Sequence, residues 1–169
     1  MGDENLNFYR IKQFYWSIIS GVNEKDLQYV KNNLYENEYK LFLKLSRQEQ
    51  YHSIKVAKDI EKECLDKEID SKELIMIALL HDIGKTYKKL NVFNKSIMVL
   101  ADKITKGKIR NIKHSKNIEV YFNHGNIGYE LLKNLDINER ALYLIKNHHN
   151  DRIVDDIELN ILKKCDGNH

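Results

Sequence analysis

Apolar side chains along this chain recur three, four and seven positions apart, the spacing that gathers them on one face of an α-helix. Residues 7 to 19, "NFYRIKQFYWSII", are aromatic and aliphatic almost all round, and shorter helical stretches follow at about 24 to 34 and 37 to 45. The next helix opens on "SRQE", where Ser46 caps the first turn and Glu49 reaches back to it, and it should run to about Asp66. Ser71 starts another in the same manner, and its apolar run ends in "ALLHDIGKTY". Further helices are predicted at roughly 93 to 105, 124 to 135, 138 to 149 with Asn138 as its cap, and 155 to 167. Short polar joints separate them, with no internal repeat and no low-complexity tract. The N-terminal third reads as packing rather than chemistry, including its tyrosines, because aromatic stripes at helical spacing usually belong to a core.

Composition sharpens this into an all-α fold. The 169 residues are 42% apolar, enough for one domain with a sizeable core, and the absence of proline with only seven glycines removes the turn punctuation of small β-folds. No run approaches the roughly 18 apolar residues of a membrane span, and the N-terminus lacks the pattern of a secretory signal, so the expected location is cytoplasmic. Cys64 and Cys165 form no C-x-x-C pair and read as buried free thiols. A net charge of +3, from 28 basic and 25 acidic residues, is too balanced to announce a nucleic-acid partner.

The candidate chemistry lies in polar residues that continue apolar stripes. His52 stands four before Val56 and eight before Ile60; His81 follows Leu74, Ile77 and Ala78; His124 precedes Ile127, Gly128, Leu131 and Leu135; His148 follows Ala141 and Leu144; and Asp166 follows Leu159 and Leu162. One histidine on an apolar face is most often a hydrogen-bonded core residue. Five helices that each turn a histidine or carboxylate inward are different, because such groups buried together without a counterion cost several kcal/mol each and a divalent metal neutralises them. His114, in a basic loop, and His169, at the chain end where disorder is usual, stand outside this set.

Read in order, His52 in "YHSIKVA", His81 and Asp82 in "LLHDIGK", His124 in "NHGNIGYELL", His148 and His149 in "LIKNHHND" and Asp166 in "ILKKCDGN" form a pattern that resembles the HD-domain superfamily of metal-dependent phosphohydrolases, in its small stand-alone bacterial, HDIG-type form. The resemblance covers about residues 46 to 167. It divides the chain into an N-terminal helical extension, 1–45, packed on an HD domain, 46–169. It implies two divalent ions, with Asp82 bridging them, His52, His81 and Asp166 on one, and His124 with His148 or His149 on the other. Mixed nitrogen and oxygen donors suit iron, manganese or another transition metal, zinc included. The implied activity is attack of a metal-bound hydroxide on phosphorus, with Lys85 stabilising the phosphate charge.

The implied partner is a small phosphorylated molecule, foremost a nucleotide or dinucleoside polyphosphate. No membrane partner is implied, nucleic acid is disfavoured, and a homo-oligomer stays open. The chain lacks the "GYP" that follows the double histidine in the cyclic-di-GMP branch, and it has Lys85-Thr86 where the alarmone-hydrolysing branch is acidic. Gln48 replaces the glutamate of three-metal relatives, glycine follows His124 where many relatives have proline, and 45 N-terminal residues cannot supply the RNA-binding domain of the endoribonuclease relatives. Three other readings stay open: a di-iron oxygenase on the same fold, a catalytically silent regulatory module, and a nuclease for short single strands. The last rests on the basic segment 102–116, "DKITKGKIRNIKHSK", which reads first as a solvated loop and second as a source of cations for a polyphosphate.

Overall fold

The computed structural model describes residues 21–87 and 116–169; the expected helices at 7–19 and 93–105, His114 and nearly all of the basic segment lie outside them. Among the described residues every regular element is helical. In chain order these are α1 (Glu24–Asn33), α2 (Glu36–Phe42), α3 (Arg47–Asp66), α4 (Lys72–Leu80), a short 3₁₀ segment (Ile83–Tyr87), α5 (Lys116–Leu132), α6 (Glu139–Asn147) and α7 (Ile157–Gly167).

Local chemistry sets most of the helix starts. Asn23 and Asp26 form a reciprocal capping box on α1, and Ser46 and Glu49 form the expected one on α3, with the Glu49 carboxylate 2.9 Å from the Ser46 amide. Asn138 accepts from the Ala141 amide at 2.8 Å, and Asp156 caps α7 through Leu159. Ser71 departs from expectation. Its backbone is already helical and its side chain makes no capping bond; Asp70 instead accepts from the Lys72 amide at 3.0 Å. "SKEL" places leucine where a capping box needs an acid, so the reciprocal bond has no second partner.

Helix α5 begins at Lys116, eight residues before the expected start at His124. The apolar stripe extends one turn further back than His124: Val120, His124, Gly128 and Leu132, four apart, are all buried. At the other end, α6 stops at Asn147, so His148 is its C-cap, as His81 is of α4.

Helix α4 is the axis of the bundle. Its sequence "KELIMIALL" is apolar nearly all round, the pattern of a helix surrounded by others, and α1, α2, α3, α6 and α7 all touch it. Leu74, Ile75 and the whole run from Ile77 to Leu80 are buried. They meet Ile54, Val56, Ala57 and Ile60 of α3 and Leu144, Ile145, Leu159 and Leu162 from α6 and α7 in one core. A helix buried on every side carries its C-terminal residues into the interior. That is where His81 and Asp82 stand.

Candidate metal centre

The two helices that end on a histidine do so in the same way. His81 Nδ1 donates to the Ala78 carbonyl at 2.7 Å, and His148 Nδ1 donates to the Ile145 carbonyl at 2.6 Å. Each ring satisfies a carbonyl that the end of a helix leaves without a partner, and the bond fixes the ring's orientation so that Nε2 faces the space between helices. His81 is fully buried and His148 nearly so.

Around those two rings the remaining candidates gather. His52 Nε2 on α3 is 2.9 Å from Asp166 Oδ1 on α7, and His81 Nε2 is 3.4 Å from the same oxygen. Across the cleft, His124 Nε2 stands 3.1 Å from His148 Nε2 and 3.0 Å from His149 Nε2. Asp82 lies between the groups and turns one oxygen to each: Oδ2 is 3.6 Å from His81 and 3.9 Å from His52, whereas Oδ1 is 3.2 Å from His124. The structure therefore brings together His52, His81, Asp82, His124, His148, His149 and Asp166. His52, His81 and Asp166 form one set able to hold an ion, His124, His148 and His149 a second, and His81, Asp82 and His148 link them.

The donor set fits a cation. His81 Nε2 and Asp82 Oδ1 are buried without a hydrogen-bond partner among the described residues, their nearest polar neighbours being misaligned for one. Burial, then the neighbouring rings of His81, His149 and His124, holds the His148 pKa well below the usual histidine value; burial and His124 bring His149 down to about 4. Both rings are neutral at pH 7 and offer lone pairs. Nitrogens bound to one transition ion at about 2.1 Å and at right angles would stand about 3 Å apart, the separation found between these rings.

Burial opposes the charge on Asp82, yet Lys85 and His81 outweigh it and keep the carboxylate ionised. The same contest on Asp166 is won by His52 and His81. His81 is disfavoured as a cation by burial, but Asp82 and Asp166 raise its pKa to about 9. The 3₁₀ turn after Asp82 places the Lys85 ammonium 2.5 Å from Asp82 Oδ2, and that contact keeps it charged although it is partly desolvated.

Two glycines make the approach of these helices feasible, a role that helical periodicity does not reveal. A Cβ on Gly84 would lie 1.9 Å from the His124 carbonyl oxygen, so only glycine lets the segment after His81-Asp82 lie against α5 at His124. A Cβ on Gly125 would lie 2.6 Å from the Lys146 carbonyl oxygen, where α5 meets the end of α6. Glycine inside a helical run, against propensity, was the available signal. His169 also differs from expectation: it packs edge-on to His52, ring centroids 6.5 Å apart, and is held 2.8 Å from Asp59. It belongs to neither ligand set.

An all-helical bundle whose central helix ends in a buried His-Asp pair, ringed by histidines from three other helices and an aspartate from a fourth, defines a class of metal-binding domain. A family model for the HD domain matches residues 50–169, and the chain belongs to that family, whose members are typically metal-dependent phosphohydrolases. Searches of curated proteins and of solved structures gave no match.

Proposed function

We propose that the protein hydrolyses a small phosphate ester or anhydride, foremost a nucleotide or dinucleoside polyphosphate, with two divalent ions of iron, manganese, zinc or another transition metal. The observation that carries this reading is Asp82, whose two oxygens face two separate histidine groups from the middle of a buried centre. A carboxylate can bridge two ions in that position, because it has two ligand oxygens where imidazole has one free nitrogen.

Bound ions would supply a hydroxide at neutral pH and polarise the phosphoryl oxygens. The protein's own part is positioning and charge. His52, His81 and Asp166 hold one side of the cleft, and His124, His148 and His149 the other. Lys85, tethered to Asp82, brings an ammonium to the point where negative charge grows on the phosphoryl group. The ammonium beside the carboxylate favours an anionic substrate over oxygen chemistry on the same fold.

The test is elemental analysis of protein purified without chelator or nickel affinity resin, beside Asp82→Ala. Expected are about two ions per chain in the wild type, their loss in the variant, and loss of hydrolysis across a nucleotide panel. Activity surviving without Asp82 would show that the centre lies elsewhere.

A further inference from the structure

Beyond the His/Asp centre, a polar cleft of about 390 Å³ lies between α5 and the end of α6, and His148 and His149 form part of its wall. It therefore adjoins the second ligand set at His148 and His149. From α5 it is lined by Phe122, Asn123 and Asn126, and from the α6 side by Lys146, Asn147 and Asn150. Four primary amides around one small cleft are unusual for a surface otherwise rich in lysine and glutamate.

The amides divide into two pairs. Asn147 donates to the Tyr143 carbonyl and accepts from Asn150, and Asn150 also accepts from the Arg152 amide, so this pair is largely committed to holding the turn after α6. Asn123 and Asn126 are exposed and, among the described residues, bond to each other, through the Asn126 amide and the Asn123 carbonyl oxygen. One donor and one acceptor then remain side by side, and they remain whichever way the two amides are oriented. A neighbouring donor and acceptor is the pattern that reads the edge of a nucleobase, as asparagine does with adenine.

We infer that this cleft is the base-recognition subsite of the enzyme, taking the nucleobase of a nucleotide whose phosphate lies at the His/Asp centre, with Asn123 and Asn126 reading the base edge. The inference rests on the phosphohydrolase reading and names its substrate class. A sugar phosphate without a base leaves the asparagine pair with nothing to read.

The experiment measures, by titration calorimetry on the manganese-loaded chain, the affinity of the four nucleoside 5′-monophosphates, ribose 5-phosphate and inorganic phosphate. It is repeated with Asn123→Ala/Asn126→Ala, whose fold is checked by circular dichroism; both side chains are exposed and, among the described residues, bond to each other. At least one nucleotide should bind about tenfold or more tightly than ribose 5-phosphate, and the double variant should erase that difference. Equal affinity for ribose 5-phosphate and every nucleotide, or a difference that survives in the variant, would overturn the subsite. Should wild-type protein bind no phosphate at all, the phosphohydrolase reading fails and free nucleosides decide the cleft: binding that the variant loses upholds it, and no binding sinks it.

Discussion

Asp82 and Lys85 occupy adjacent turns of the chain but do different work, and single substitutions separate them. Asp82 is 1% exposed and lies between both ligand groups, so its loss should empty the centre. Among the described residues, the direct contact of Lys85 with the centre is to Asp82 Oδ2, and the lysine keeps 23% of its side chain exposed. Lys85→Ala should therefore retain the metal content of the wild type while lowering kcat by about a hundredfold or more, the usual effect of removing one group that stabilises transition-state charge. Elemental analysis beside steady-state kinetics checks this. A variant that loses its metal would make Lys85 a structural counterion instead. Asn123 and Asn126, by contrast, should govern discrimination between substrates.

At the scale of elements, the centre depends on how closely backbones approach. The 3₁₀ segment lies against α5 with Gly84 facing the His124 carbonyl and the Gly128 amide, and both are backbone atoms that no rotamer change can move aside. Gly84→Ala should destabilise the fold by about 1–3 kcal/mol or more, the range for overpacking a tight interior. It should also weaken metal binding, because α5 carries His124 away as it shifts. Gly128→Ala meets ordinary contacts, 3.4 Å with Ile145 and Ile83 and 3.5 Å with the Gly84 amide, and serves as the control on the same helix. Denaturant melts and metal titrations of the two variants check the contrast; equal losses would show that the crossing is not limited at Gly84. The caps act locally by comparison, each holding one helix start.

Over the whole molecule, the centre ties stability to pH in opposite directions for metal-free and metal-loaded protein. Folding raises the His81 pKa from 6.5 to about 9, so its contribution is complete below pH 6.5 and is lost as pH rises through 9. Asp82 and Asp166 are depressed below 3.8; their contribution is present above that value and disappears as pH falls through their folded pKa. His148 and His149, held below 6.5, work the other way and cost stability as pH falls under that value. Metal-free protein should thus be most stable near pH 6.5 and soften from about pH 7 to 9.5. Metal must displace the His81 proton, so its affinity should climb about tenfold per pH unit up to about 9. The gap in Tm between manganese-loaded and chelator-treated protein should widen steadily from pH 6 to 9. A gap independent of pH would mean that His81 releases no proton on binding.

Sequence alone determined the class of the fold and supplied the candidates for the centre. Helical spacing places His52, His81, His124, His148 and Asp166 on apolar stripes, and "HDIGK" with its companions in order points to the HD family, to which the chain belongs. Periodicity records which way a side chain faces along its own helix, and local caps record where most helices begin. What it could not record is distance between helices. Only the tertiary structure placed one oxygen of Asp82 toward each histidine group, set both His148 and His149 beside cleft and centre, and brought His169 next to His52. Those facts depend on how closely helices remote in sequence approach one another. That is set by the fit of Gly84 against His124 and of Gly125 against Lys146, contacts that no single stretch of the chain contains.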